Sequence, residues 1–509
     1  MSIISNGFFI FTICSIVLYY IVPAKYQSWV LLLVSLLFYV SYGIKPVLFI
    51  LFATIVTYAT GVIIDNIYSE SAESPDKTRK KCRRMLIVAM LLVIGILAFL
   101  KYSNFVIDNV NSICGSSIKG LNLIMPLGIS YYTFQSVGYL LDVFWKRQKA
   151  EHSFFRLALF LSFFPYMVQG PINRYGQLAN QLYESHKFDW NNIRYGVVRI
   201  IWGLFKTMVL AGWAGIYREA IFANPDQYSG IAIFGTLLYT VELYGNFSGG
   251  IDIVLGVSRM FGVTMEENFK RPFFSTSIAD FWHRWHITLG TWMKDYLFYP
   301  ITLSKWMKKC GKNAKKLFGK KVGRNIPACI ANIIVFFVVG IWHGASWGNI
   351  GWGLYNGVLI AFSVLAADWY LSWKQALHIN DKSKGWHLFM VLRTFILMNI
   401  SWYFDCASSF GHAVKMMKYS VTRFNPSEFL SISSGKLGTA YTPYALLTIV
   451  AGCILLFVIS YIQEKGTDVQ EAIARKPVAV RVSMIVILLI ITLALGPMSA
   501  GKGFIYAQF

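Results

Sequence analysis

Charge is what this 509-residue chain has least of. Only 14% of its residues are Asp, Glu, Lys or Arg, while 56% are hydrophobic; soluble domains carry roughly 25% charge. A water-soluble protein cannot hide so much apolar surface behind so few charges, because folded domains still expose a large fraction of their area. Acids are scarcest: 24 Asp and Glu face 47 Lys and Arg, a net charge of +23. Nucleic acid is the first partner such a balance suggests. The apolar content excludes it unless the basic residues lie between membrane spans, and they do. The seven cysteines (Cys14, Cys82, Cys114, Cys310, Cys329, Cys406 and Cys453) include no CxxC pair, which argues against disulfide or metal chemistry. The opening MSIISNGFFIFTICSIVLYY lacks a basic n-region and a small-residue cleavage site, so it reads as a retained span rather than a removed signal peptide. No repeat of 20–50 residues occurs, and no polar stretch is long enough to build a soluble domain.

What is present in abundance is apolar sequence of bilayer-crossing length, about 20 residues per span. Such stretches lie near Phe8–Val22, Ser28–Tyr42, Val47–Ile67, Met85–Leu100, Leu121–Trp145, Phe154–Val168, Val197–Ile216, Ile231–Tyr244, Gly249–Phe261, Ile330–Trp342, Gly351–Tyr370, Leu388–Phe404, Tyr444–Tyr461 and Val482–Leu495. Several are short or carry polar groups and read as re-entrant, buried in protein rather than facing lipid. The expectation is an all-α polytopic membrane protein with about 11–13 transmembrane or re-entrant helices. Two basic loops orient it. Residues 73–84 hold Lys77, Arg79, Lys80, Lys81, Arg83 and Arg84; residues 305–324 hold Lys305, Lys308, Lys309, Lys312, Lys315, Lys316, Lys320, Lys321 and Arg324 without an acid. The positive-inside rule puts both in the cytoplasm, the amino terminus outside and Lys25 inside. Contact with anionic lipid accounts for such loops; the second could also attract an anionic substrate such as a coenzyme A phosphate.

Polar residues inside apolar surroundings are costly and so mark function by default. The densest set is Asp280-Phe281-Trp282-His283-Arg284-Trp285-His286, followed by Thr291-Trp292-Met293-Lys294-Asp295. His283 and His286 are spaced to share a helix face, and Trp282, Trp285 and Trp292 recur at helical spacing. A metal would need a third ligand and an orienting carboxylate; no HExxH pattern is present, so no metal site is assigned. The second feature is Ile341-Trp342-His343-Gly344-Ala345-Ser346-Trp347, which closes an apolar run. His343 there is either a buried, hydrogen-bonded core histidine or a base. With an ordinary pKa of roughly 6.5, histidine is the side chain best suited to take a proton near neutral pH. Further polar islands are Tyr244-Gly245-Asn246-Phe247-Ser248-Gly249-Gly250-Ile251-Asp252, Met125–Gln135 and Phe164–Ile172. Each pairs Pro or Gly with polar groups, as in helix breaks lining a cavity; packing through small residues is the blander account.

The run ENFKRPFFSTSIADFWHRWHITLGTWMKDYLFYP resembles one signature of membrane-bound O-acyltransferases, and WHGASWGNIGWGLYNG resembles a second. MPLGISYYTFQ, FFPYMVQGPI and YGNFSGGIDIVLGVSRMFG follow the alginate O-acetyltransferase branch in the same order. The resemblance implies an acyltransferase core over residues 1–410, continuous with C-terminal helices over 411–509, and a ring of helices around a tunnel. By its motif position His343 corresponds to the catalytic histidine. His286 corresponds to a histidine on the cytoplasmic side of the tunnel that helps place the donor or reacting groups. His283 falls where the family has Arg or Lys and receives no catalytic role. Asn246 stands where the family commonly has Asp, while Asp252 fits a later acidic position.

The activity implied is transfer of acetyl from a cytoplasmic thioester, acetyl-CoA, across a bacterial cytoplasmic membrane to an extracellular polysaccharide. His343 and His286 would be catalytic; Asn246, Ser248, Asp252, Trp282, Trp285, Trp342, Gln135 and Gln169 would bind substrate or line the tunnel. No bound cofactor and no metal is expected. An extracellular SGNH-hydrolase-like partner would complete transfer to the polymer. The alternatives are D-alanyl transfer to teichoic acid from an acyl carrier protein, and a polytopic transporter, which should show inverted-repeat symmetry that is missing here.

Overall fold

The computed structural model describes residues 2–70, 74–223, 228–433 and 443–497; the first residue of the 73–84 segment and residues 434–442 and 498–509 of the 411–509 region lie outside them. The described residues are helical apart from turns, loops and one isolated antiparallel bridge, Phe269 to Trp285. Among the described residues, eight helices are long and apolar enough to cross a membrane: Ile44–Glu70, Pro75–Cys114, Trp190–Ala223, Ile326–His343, Trp347–Leu365, Lys384–Cys406, Tyr444–Glu464 and Val478–Leu495. Asn6–Ile21, Ala24–Val40 and Phe154–Tyr166 are shorter apolar helices. The chain is therefore a polytopic, all-α membrane protein.

Three expectations change. The stretches Ile231–Tyr244 and Gly249–Phe261 are one helix, Ala232–Met260, because the glycines between them serve packing instead of breaking the chain: a Cβ on Gly245 would lie 2.7 Å from the Lys206 carbonyl oxygen. The Leu121–Trp145 stretch is helical only over Ile129–Phe144, entered through Gly128 at φ +68°, a left-handed turn that favours glycine. Both basic loops are helical. Lys77–Arg84 lie in the first turns of the 40-residue Pro75–Cys114 helix, which at 1.5 Å per residue is about 60 Å long and outreaches the bilayer core. The second forms Lys305–Gly323, broken at Gly319 (φ 77°) and capped by Ser304, whose Oγ accepts from Met307 N at 3.1 Å. It buries Met307, Gly311 and Ala314 and leaves its lysines exposed.

The described residues divide into two compact units, 2–203 with 250–266, and 204–249 with 267–497. In the first, Ile44–Glu70 packs on Ile129–Phe144 and Pro75–Cys114. Phe8, Phe38 and Phe164 meet edge-on or tilted at centroid distances of 5.6–6.3 Å. In the second, Ile326–His343 and Trp347–Leu365 form a close hairpin. Gly340 and Gly353 permit it: a Cβ on Gly340 would sit 2.5 Å from the Asn349 carbonyl oxygen, and one on Gly353 would strike that of Phe336. The C-terminal helices Pro443–Glu464 and Val478–Leu495 pack on the π-turn Phe205–Ala211 of the same unit.

Candidate active site

Residues 267–304 contain no helix long enough to cross the membrane. Ser277 caps the short helix Ile278–Arg284, its Oγ accepting from Asp280 N at 3.1 Å. The chain then turns extended at Trp285 and pairs with 268–270: Lys270 N donates to Arg284 O at 2.9 Å, and Ile287 N to Asn268 O at 3.0 Å. His286 itself is left-handed, φ 47° and ψ 51°, which costs a non-glycine residue about 1–3 kcal/mol and clusters at functional sites. A new helix, Ile287–Met293, starts immediately after it. His283 and His286 thus do not share a helix face, and the three tryptophans do not form one helical stripe; His283 is exposed on the preceding helix. Tertiary pairing with residues 14–19 positions upstream overrides the local helical pattern.

Asn268, which the sequence reading passed over, holds this joint. It is fully buried, and its Oδ1 accepts from Thr288 N at 3.1 Å and Thr288 Oγ1 at 2.9 Å and lies 3.3 Å from His286 Nδ1. Its Nδ2 is buried without a hydrogen-bond partner among the described residues, an arrangement that costs about 1–3 kcal/mol. The imidazole of His286 is 2% exposed; burial pushes its pKa down to about 3, so the ring stays neutral near pH 7. It meets Phe247 edge-on at 4.8 Å and Trp342 at 6.1 Å between ring centroids. A second missed residue braces the segment from the C-terminal helices. Glu464 receives Arg284 Nη1 at 2.9 and 3.1 Å and Arg271 Nε at 2.5 Å, while Arg284 Nε also reaches Asp280 at 2.9 Å.

His343 is the last residue of the Ile326–His343 helix, which stops at Gly344. Ser346 then caps Trp347–Leu365, its Oγ accepting from Asn349 N at 3.1 Å. With its amide nitrogen assigned toward Asp405 Oδ1 (3.3 Å), the Asn349 oxygen accepts from Gly344 N at 3.3 Å and Ser346 Oγ at 3.2 Å, tying down the turn. His343 is buried between Trp342 (5.0 Å) and Trp352 (4.9 Å). Trp352 meets Trp282 at 5.5 Å, and Trp282 Nε1 donates to Asn356 Oδ1 at 3.3 Å. One aromatic ladder, with Trp342 at its centre, therefore carries both histidines. A cavity of about 410 Å³ is walled by Trp282, Trp285, His286, Lys294 and Phe336 among others. His286 is in that wall and His343 is not.

Asn246 and Ser248 lie on Ala232–Met260, buried, on either side of the Phe247 that touches His286. Lys206 Nζ donates to Ser248 Oγ at 2.8 Å, and Ser248 Oγ donates to Tyr244 O at 2.6 Å. Lys206 is 4% exposed inside the π-turn. Lys206 and Arg199 are the two cations inside the apolar Val197–Ile216 stretch, a signal available in sequence. The second unit thus gathers His286, His343, Trp282, Trp285, Trp342, Asn246 and Ser248. Gln135, Gln169 and Asp252 belong to the first unit, all buried. There Asp252 Oδ1 accepts from Arg199 Nε at 2.9 Å and Nη2 at 2.8 Å, so its carboxylate is engaged in a buried ion pair.

The chain's residues 31–409 match the model of the membrane-bound O-acyltransferase family. A probable alginate O-acetylase of Azotobacter vinelandii is 29% identical over 457 residues, covering 87% of this chain and 84% of the relative. A peptidoglycan O-acetyltransferase of Helicobacter pylori is 30% identical over 489 residues, 88% of this chain and 85% of the relative. The match to a teichoic acid D-alanyltransferase of Bacillus subtilis is partial: 28% identity, 57% of this chain and 71% of that protein. With helices crossing the membrane and two histidines on one buried aromatic ladder, these matches make the chain an O-acyltransferase of the membrane-bound O-acyltransferase family.

Proposed function

We propose that the protein takes acetyl from a cytoplasmic thioester, acetyl-CoA, and passes it outward for O-acetylation of an extracellular polysaccharide. The observation that carries this reading is the ladder in which His286, Trp342, His343 and Trp352 touch in sequence. His343 acts as general base: it takes the proton of the attacking hydroxyl as that oxygen bonds the thioester carbon, contributing about 10²–10⁴-fold in rate. The oxyanion collapses, the C–S bond breaks, and the thiolate leaves and is protonated, giving an ester and a free thiol. Amide or indole donors (Asn246 or Trp342) stabilise the oxyanion; Lys206, bonded to Ser248, whose own hydroxyl hydrogen goes to Tyr244 O, adds positive charge there. His286 places the donor. The chemistry calls for no bound cofactor.

The basic Lys305–Gly323 helix follows His286 in the chain and precedes His343, and we assign it to the cytoplasmic face of a bacterial inner membrane, where it attracts the coenzyme A phosphates. An SGNH-hydrolase-like protein on the far side serves as acceptor or relay to the polymer. The test is proteoliposomes given radiolabelled acetyl-CoA on the basic face, with a carrier-protein-bound D-alanine arm. Alkali-labile acetyl ester from the first donor alone is the expected result. Label that is neither hydrolysed nor transferred would point to a transporter, and use of the carrier protein alone to D-alanyl transfer.

A further inference from the structure

Amide oxygens and nitrogens look alike in shape, but the surroundings of Asn268 leave no choice. Thr288 N is a backbone donor, 3.1 Å from the Asn268 side chain, and a donor must face the amide oxygen. That same oxygen lies 3.3 Å from His286 Nδ1. A ring nitrogen facing an acceptor bears the proton, and in a neutral imidazole the other nitrogen then holds the lone pair. Asn268 also caps the Ile287–Met293 helix from outside, since His286 at the cap position supplies no side-chain bond of its own. One oxygen thus fixes the helix start and the histidine before it.

We infer that Asn268 is a positioning residue that locks His286 as the Nδ1–H tautomer, leaving Nε2 as the hydrogen-bond acceptor. The inference deepens the proposed function and rests on its reading that His286 places the reacting groups. It sharpens that reading chemically. With its lone pair on Nε2, the imidazole takes an N–H of the donor, such as an amide N–H of a pantetheine arm. It does not polarise the thioester carbonyl, which needs a donor.

The experiment is nitrogen NMR of ¹⁵N-histidine-labelled full-length protein, with the His286 signal identified by its loss in His286→Gln. Wild type and Asn268→Asp, whose carboxylate keeps the acceptor, should show protonated Nδ1. Asn268→Leu, similar in size with no acceptor, should lose that preference. Its acetyl transfer should fall roughly 10–100-fold, as expected when a reacting group is misplaced, with Asn268→Asp falling less than Asn268→Leu. Protonated Nε2 in wild type, or an unchanged tautomer in Asn268→Leu, overturns the lock. Should Asn268→Leu not fold, the wild-type and Asn268→Asp spectra decide alone. A tautomer that shifts while transfer stays normal upholds the lock and removes His286 from the reaction, so the two readings fail separately.

Discussion

His343 and His286 both stand at helix ends, but at opposite ones. His343 closes the C-terminus of a membrane-spanning helix, where carbonyl groups make the helix end negative; His286 precedes the N-terminus of a short helix, where amide groups make it positive. In the proposed reaction, a proton accepted by His343 would arrive at that negative helix end. One accepted by His286 would arrive where it is disfavoured, in a site whose burial already holds the ring neutral. The two are held differently as well. His343 depends on glycine contacts between two long helices, His286 on hydrogen bonds from a strand-like pairing and an asparagine cap. Two histidines on one ladder are thus suited to unlike tasks, one to move a proton and one to hold a partner.

The hairpin under His343 is the larger liability. Gly353→Ala pushes a methyl into the Phe336 carbonyl and should cost about 1–3 kcal/mol by overpacking, read as a lower melting temperature with reduced transfer. If both stay unchanged, the glycine contact does not position His343. The His286 side gives a pH signature. Its pKa falls from about 6.5 unfolded to about 3 folded, so between these values the unfolded chain binds more protons. Stability then declines as pH is lowered from about 6.5, by up to about 1.4 kcal/mol per pH unit. Melting at pH 7 and pH 5 should show a steeper acid loss in wild type than in His286→Gln; equal slopes would mean the ring is hydrated and chargeable. Ser346→Ala removes the cap after the His343 turn and should cost about 1 kcal/mol, again by melting. Glu464→Gln weakens the brace on Arg284 and Arg271. These groups are about a quarter to a third exposed, so solvent screening keeps the expected loss to roughly 0.5–1 kcal/mol; transfer should fall a few-fold at most, with donor KM more affected than turnover if the brace serves His286.

The long apolar helices were legible because each needs only its own sequence to satisfy its backbone. His343 was legible because it ends such a run. The break at Trp285 and His286 was not: the local pattern is helical, and the extended joint exists only through pairing with Asn268–Lys270. The same reason hid Asn268, a lone asparagine whose three contacts all lie 18–20 residues away. Glu464 lies three residues beyond the Tyr444–Tyr461 stretch, and its role comes from arginines 180 and 193 residues upstream. Glycines near Asn246 misled in the other direction, since close packing at Gly245 keeps that helix continuous.

The division of labour between the two histidines is tested most directly by steady-state transfer from radiolabelled acetyl-CoA with His343→Ala and His286→Ala, each shown to melt like wild type. Turnover should fall about 10²–10⁴-fold in His343→Ala with donor KM unchanged, whereas His286→Ala should chiefly raise donor KM. A folded His343→Ala protein that transfers acetyl at the wild-type rate would contradict the account.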